Sequence, residues 1–368
     1  MTLAFRPAWV EIDLQAITHN VRLTRELLGP EVRIFAVCKA DAMGCGLLPV
    51  ARTLVDAGVH ALAVSDPDEV LALRGAGFTL PILLFASTLP QQAAEVADLG
   101  AIVAIHDFSS LRAYAALARP LEAFIKIDCG MGRLGFNEQQ WHDAFVLARN
   151  SPSLNIVGLY THMSKPEDPE TTMVQASRFD RAFDEAQRLG FGNLLKMGAS
   201  SRVLLAYPQY RYDAVDPGRL LLGMLGSPWV EMLALRPAVR AMKSRVMHLQ
   251  THPAGTLLGI GYGQPITLTR PMTTAVVPIG FRDGLNHAPP LGEMLLCGHR
   301  VPVLGRRSIE HSLLDVSDVP EVEIGSEVVL LGRQGSHEIT GAQLADSLGL
   351  PMLELIPRIA HCARRVYV

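Results

Sequence analysis

Lys39 stands where an apolar run, Ile34 to Cys38, gives way to Ala40-Asp41-Ala42-Met43-Gly44-Cys45-Gly46. The run reads as a buried strand, which puts the lysine at its C-terminal edge beside backbone that glycine leaves open to a ligand. An amine so placed can add to a carbonyl carbon as a nucleophile. From these residues alone the plainer reading, a solvated lysine closing a strand, is the stronger one. Other polar residues fall in similar places, just past later apolar runs: Asp128, Met131, Gly132 and Arg133; His162; Gly198, Ser200 and Ser201; Asp216, Gly218 and Arg219.

The elements that must position these residues follow a repeating rhythm. Strand candidates fall at Ile34–Cys38, Ala61–Ser65, Ile82–Ala86, Ile102–His106, Ala123–Asp128, Ile156–Thr161, Leu194–Met197 and Ala214–Asp216, with amphipathic segments such as Pro49–Ala57, Pro67–Arg74, Gln91–Leu99 and Thr172–Leu189 between them. Strands alternating with helices call for a parallel sheet, and this many repeats suggest closure into a (β/α)8 barrel. In such a barrel the C-terminal strand ends carry the active site, so the polar residues above form one coherent mouth. Loops after the seventh and eighth strands often hold a phosphate, and Ser200 and Gly218 stand there. A lysine and a phosphate cradle across one mouth suggest pyridoxal phosphate.

Past about Leu235 the rhythm changes to short strand-like runs separated by glycine and proline, without helical spacing: Val239–His248, Gly255–Leu258, Thr273–Ile279, Met294–Leu296, Val301–Leu304 and Ser326–Leu331. This reads as a separate β domain. The alternating segment Trp9-Val10-Glu11-Ile12-Asp13 is expected to add a strand to it, and Asp13 to cap a helix over Leu14 through Leu28. The expected organisation is an N-terminal strand of the β domain (1–13), a cofactor-binding barrel (14–234) and a β-rich C-terminal domain (235–368).

Composition narrows the class of partner. The 368 residues are 49% hydrophobic and 19% charged with a net charge of −3, as in a globular enzyme. No basic block and no bilayer-length apolar run appears, so neither nucleic acid nor membrane is an expected partner, and a cytoplasmic location is the default. Five scattered cysteines without CxxC spacing argue against both a disulfide framework and a zinc site.

Several stretches together resemble those of alanine racemases, the fold-type III pyridoxal-phosphate enzymes: Val37-Cys38-Lys39-Ala40-Asp41-Ala42, Lys126-Ile127-Asp128-Cys129-Gly130-Met131-Gly132-Arg133-Leu134-Gly135, Tyr160-Thr161-His162, Gly261-Tyr262-Gly263 and Val277-Pro278-Ile279-Gly280-Phe281-Arg282-Asp283-Gly284. The resemblance spans essentially the whole chain. It implies a racemase acting on a small amino acid, alanine being the best single guess and other amino acids plausible. Lys39 is implied to hold the cofactor and serve as base on one face of the substrate, and Tyr262 to serve the other. That tyrosine comes from the partner subunit in the family, which implies a homodimer with shared sites. Arg133 is implied to meet the substrate carboxylate and the cofactor, His162 to lie against the cofactor ring, and Lys126 to support Arg133 in a form that the family often carbamylates.

The departures from the family gather around the cofactor and the substrate. Asp216 stands where an arginine usually contacts the pyridine nitrogen, and a carboxylate there would favour the protonated ring, making the cofactor a stronger electron sink. The plainer alternative is that Asp216 pairs with Arg219, which could itself add charge at the phosphate. Met43 replaces a phosphate-binding tyrosine, Phe281 an entrance tyrosine, Ser308-Ile309-Glu310-His311 the usual Cys-Met-Asp-Gln, and His361 falls near another expected tyrosine. Phe281 and Ile309 are therefore expected at the substrate side. Two other readings remain open on these residues, a fold-type III amino-acid decarboxylase and a non-catalytic carrier of the cofactor.

Overall fold

A computed structural model of the chain describes residues 6–85, 88–117, 119–259, 264–288 and 291–368. After a first strand, β1 (Ala8–Ile12), eight parallel strands close into a barrel: β2 (Arg33–Val37), β3 (Ala61–Val64), β4 (Ile82–Leu84), β5 (Ile102–Ile105), β6 (Leu121–Lys126), β7 (Leu154–Tyr160), β8 (Leu195–Ser200) and β9 (Ala214–Asp216). Closure is made by a short parallel ladder between β2 and β9, Arg33 to Ala214 and Ile34 to Val215. Most strand residues are apolar and buried on both faces, as expected of parallel strands wrapped by helices. Phe35 and Phe124 meet edge to face at 5.7 Å between ring centroids in this core.

Local signals explain where the helices begin. Asp13 accepts the Ala16 N–H at 2.9 Å and so caps the helix Leu14–Leu28. Asp66 and Glu69 form a capping box around Pro67 at the start of Pro67–Gly75, and Asp168 caps the long helix Pro169–Arg188.

The remaining strands are β10 (Val239–Arg245), β11 (His248–His252), β12 (Leu257–Leu258), β13 (Ile266–Thr267), β14 (Met272–Val277), β15 (Glu293–Leu296), β16 (His299–Leu304), β17 (Ser312–Asp315), β18 (Glu327–Gln334), β19 (His337–Ile339) and β20 (Arg365–Tyr367). All but β12 and β13 join one sheet in the order β11-β14-β17-β16-β15-β18-β10-β1-β20, with β19 paired to β18. As the alternation near Trp9 led one to expect, β1 enters this sheet, antiparallel to β10 and parallel to β20.

One expectation needs correcting: helical spacing does not stop at Leu235. Helices occupy Gly341–Leu348 and Met352–Cys362. The first is delimited by a Thr340–Gln343 capping box and by Gly349 in the left-handed region. The second carries Pro357 in its interior, and a proline at that place reads from sequence as a helix breaker.

Contacts divide the chain into two compact units: Ile17–Ala42 with Leu47–Gly223, which contains the barrel, and Met1–Ala16 with Met43–Gly46 and Met224–Val368, which contains the large sheet. Among the described residues no helix is long and apolar enough to cross a membrane.

Candidate active site

Two barrel strands end in charge, and other charged residues follow the strand ends. Lys126 is the last residue of β6 and Asp216 the last of β9; Lys39, Arg133, His162 and Arg219 follow closely on β2, β6, β7 and β9. Each is carried by a strand whose apolar interior is locked in the core, so the backbone beneath these side chains is fixed.

The segment after Lys39 is under conformational strain. Ala40, Asp41, Ala42 and Met43 have φ of 55°, 54°, 54° and 54°, a left-handed turn built without glycine. Each such residue costs about 1–2 kcal/mol. Specific hydrogen bonds hold the turn: Glu69 Oε1 accepts the Asp41 N–H at 2.8 Å, and Asp41 Oδ1 accepts the Leu47 N–H at 2.7 Å. The other Glu69 oxygen accepts the Ser65 and Asp66 N–H groups at 3.2 and 3.3 Å, so one carboxylate fixes both the end of β3 and the turn beside Lys39. Sequence reasoning missed this role. The readable signal was the Asp66–Glu69 capping box, whose glutamate does a second task.

Lys39 itself is exposed, and its Nζ lies 5.5 Å from the Phe85 ring centroid. Phe85 meets Tyr160 at 5.8 Å, and the Lys126 Nζ lies 4.1 Å from the centre of Tyr160. Two amines thus lie over adjoining rings. Lys126 is only 5% exposed, and burial pulls its ammonium down to about 8 despite the favourable charge of Asp216.

Arg133 is delivered by a rigid loop. Asp128 Oδ1 accepts the N–H groups of Gly130, Met131 and Gly132 at 2.9, 2.9 and 3.1 Å, which folds the chain back on itself. The return is fixed by Phe136 N–H to Lys126 O and Asp128 N–H to Phe136 O, at 2.9 and 3.0 Å. Gly135, at φ 117°, fits there because a Cβ would stand 2.7 Å from the Asp128 nitrogen. Arg133 is left exposed between the two anchored ends.

Burial first, then the charges of Lys126, Arg133, Lys39 and Arg219, push His162 down to about 4. Its imidazole is therefore neutral near pH 7. Asp216 shifts upward: burial raises its carboxyl to about 7, against the pull of Lys126 and Lys39. It is 8% exposed, and its Oδ1 has no hydrogen-bond partner. No ion pair joins Asp216 to Arg219 among the described residues; the guanidinium of Arg219 instead senses Arg202 and Glu167.

On the phosphate side, Ser201 Oγ accepts the N–H groups of Gly218 and Leu220, both at 3.1 Å, and so shapes the loop after β9. Ser200 precedes the helix Ser201–Ala206 without spending its hydroxyl on the cap. Across the β8–β9 register, Ser200 pairs with Asp216.

The other predicted residues lie in the unit of the large sheet. Phe281 N–H donates to Ser308 O and Arg282 N–H to Ile309 O, both at 3.0 Å, which brings the Gly280–Gly284 and Ser308–His311 stretches together. A Cβ on Gly280 would come within 2.2 Å of Ile309 O. Arg282 also pairs with Glu310. Phe281 and Ile309 are 39% and 59% exposed, so the two apolar side chains stand out from a tightly bonded base. Met43 closes the left-handed turn, and Met43–Gly46 clusters with this unit. Tyr262 falls between β12 and β13, outside the described residues.

A cation cluster, a reactive amine and a buried carboxylate without a partner suit pyridoxal phosphate. The cations can take its phosphate and a substrate carboxylate, Lys39 can take its carbonyl carbon, and the Asp216 oxygen calls for a donor that the protein does not supply.

Comparison with known proteins agrees. Residues 12–226 match the family model "Alanine racemase, N-terminal domain" and residues 239–367 the model "Alanine racemase, C-terminal domain". The alanine racemase of Halothermothrix orenii is 33% identical over 371 residues, 98% of this chain and 97% of that protein. That of Desulfosudis oleivorans is 34% identical over 379 residues, covering 98% and 96%. Among solved structures, the alanine racemase of Bacillus anthracis with bound L-Ala-P superposes with a TM-score of 0.90 at 28% identity, over 100% of this chain and 96% of that one. The chain therefore belongs to the alanine racemase family of pyridoxal-phosphate-dependent racemases.

Proposed function

We propose that the barrel mouth interconverts L- and D-alanine, with Lys39 and the partner subunit's Tyr262 as the two bases. The observation that carries this reading is the placement of Lys39, Lys126, Arg133, His162, Asp216 and Arg219 at or just past the C-terminal ends of β2, β6, β7 and β9, with a strained left-handed turn beside Lys39. When bound, pyridoxal phosphate supplies an electron-withdrawing ring that lowers the cost of ionising the substrate's Cα–H bond. Inversion needs a proton removed from one face of Cα and another returned to the opposite face. Lys39 Nζ serves one face and the tyrosine hydroxyl the other, so the direction of reaction decides which group gives and which takes. The chain's net charge is unchanged at the end of each turnover.

The remaining residues bind and orient. Arg133, exposed at the end of its anchored loop, takes the substrate carboxylate, a task suited to a planar guanidinium fork. Ser200, Gly218 and Arg219 hold the phosphate end, with Arg219 supplying charge. His162, neutral near pH 7, packs beside the ring without adding another cation. Phe281 and Ile309 are substrate-side residues in this reading and act by bulk, not by hydrogen bonding. The active species is a homodimer working in the cytoplasm. An exposed Leu257 on β12 and Ile266 on β13, flanking the segment with Tyr262, support its use in subunit association.

The test is to mix the holoprotein with pure L-alanine, and separately with pure D-alanine, in deuterated water. Approach to an equal mixture from both sides, with deuterium at Cα, is expected. Release of carbon dioxide would point to decarboxylation, and an absence of Cα exchange would point to a carrier.

A further inference from the structure

Among the described residues, Asp216 is the one buried carboxylate of the mouth that the proton transfers above do not use. It is 8% exposed at the end of β9, its Oδ1 has no hydrogen-bond partner, and it forms no ion pair among the described residues. A carboxylate buried in this way is satisfied only when something else brings a donor. The charges of Lys126 and Lys39 reach it, yet neither is paired with it. Lys39 and Asp216 follow on neighbouring strands, β2 and β9, which pair through Ile34 and Val215 and are tied beyond that by the Val37 N–H to Pro217 O bond of 2.9 Å, so one bound group can meet both.

The chemistry of pyridoxal phosphate leaves little choice about which of its atoms that carboxylate meets. The phosphate and the phenolate oxygen are anionic and would be repelled. The aldehyde carbon is what an amine such as Lys39 takes up. That leaves the ring nitrogen, which when protonated presents an N–H to an anionic acceptor. Ser200, the strand partner of Asp216, sits among the residues assigned to the phosphate end.

We propose that Asp216 accepts a hydrogen bond from the protonated ring nitrogen of bound pyridoxal phosphate and holds that nitrogen in its cationic form. The enzyme then works with a more strongly electron-withdrawing ring than the neutral pyridine would provide. This rests on the racemase reading, and its test separates the two. The holoenzyme is reconstituted with cofactor carrying 15N in the ring, and the nitrogen resonance is recorded at about pH 8. In parallel, the apo-protein is titrated with pyridoxal phosphate and with the analogue in which a C–H replaces the ring nitrogen.

The expected results are a resonance in the pyridinium range and an analogue bound roughly ten- to a hundredfold more weakly, the value of one charge-assisted hydrogen bond. Asp216→Asn should shrink that ratio toward one. A resonance in the neutral-pyridine range in an enzyme that still racemises alanine, or equal affinity for cofactor and analogue, would overturn the inference and leave the racemase reading standing. Failure of the protein to bind the cofactor, or to racemise any amino acid, would overturn both.

Discussion

Two regions of the molecule use buried carboxylates in opposite ways. In the turn Gly280–Gly284, Asp283 is fully matched: both its oxygens accept from Arg6, at 2.6 and 2.7 Å, and one also accepts the Gly280 N–H at 2.9 Å. At the barrel mouth, Asp216 is nearly as buried and its Oδ1 has no partner. The first arrangement completes an architecture, and the second is complete only with a ligand. A matched buried ion pair fixes a loop, whereas an unmatched one marks where chemistry is done at a cost in stability.

Substitutions can break or sharpen that contrast. The largest effect is expected at Lys39: Lys39→Ala should lower the racemisation rate by about 10²–10⁴-fold or more, with little change in urea unfolding, because the side chain is exposed. Next comes Asp283→Ala, which strands the partly buried Arg6 guanidinium and the Gly280 N–H. It should destabilise the fold by about 3–5 kcal/mol, read from urea unfolding.

Asp216→Asn should do the reverse in the apo-protein. Burial raises this carboxyl from 3.8 to about 7, so keeping it ionised in the fold costs stability. That cost is absent below about 3.8, where the group is protonated folded and unfolded, and complete above about 7. The variant should therefore gain about 1–3 kcal/mol at high pH, with the gain vanishing toward pH 4. Phe281→Ala and Ile309→Ala should move stability by no more than about 0.5 kcal/mol, since both side chains are exposed. Their effect should fall on KM across a series of larger amino acids.

The barrel was legible because its apolar runs are short, buried on both faces and separated by helices of the right length. Even β9, only Ala214–Asp216, was readable from its place in the rhythm, although three residues carry little pattern. The placement of Lys39, Arg133, His162 and Asp216 at or just past strand ends was legible from the same apolar runs. Two features were hidden. The left-handed turn after Lys39 is made from Ala, Asp and Met, residues that give no local sign of positive φ, and it is held by Glu69 from the next strand–helix connection. The helix Met352–Cys362 was masked by Pro357, because its place in the fold overrides a local breaker. Interactions between segments distant in sequence decide both.

The central claim is that Lys39, and not the other amine at the mouth, carries the cofactor. Lys126 is a fair competitor: burial pulls its ammonium down to about 8, yet it is only 5% exposed beside the Tyr160 ring. Reducing the holoenzyme with borohydride and locating the phosphopyridoxyl group by peptide mass mapping decides between them. The group is expected on Lys39; its appearance on Lys126, or on any lysine outside the barrel mouth, would contradict the account.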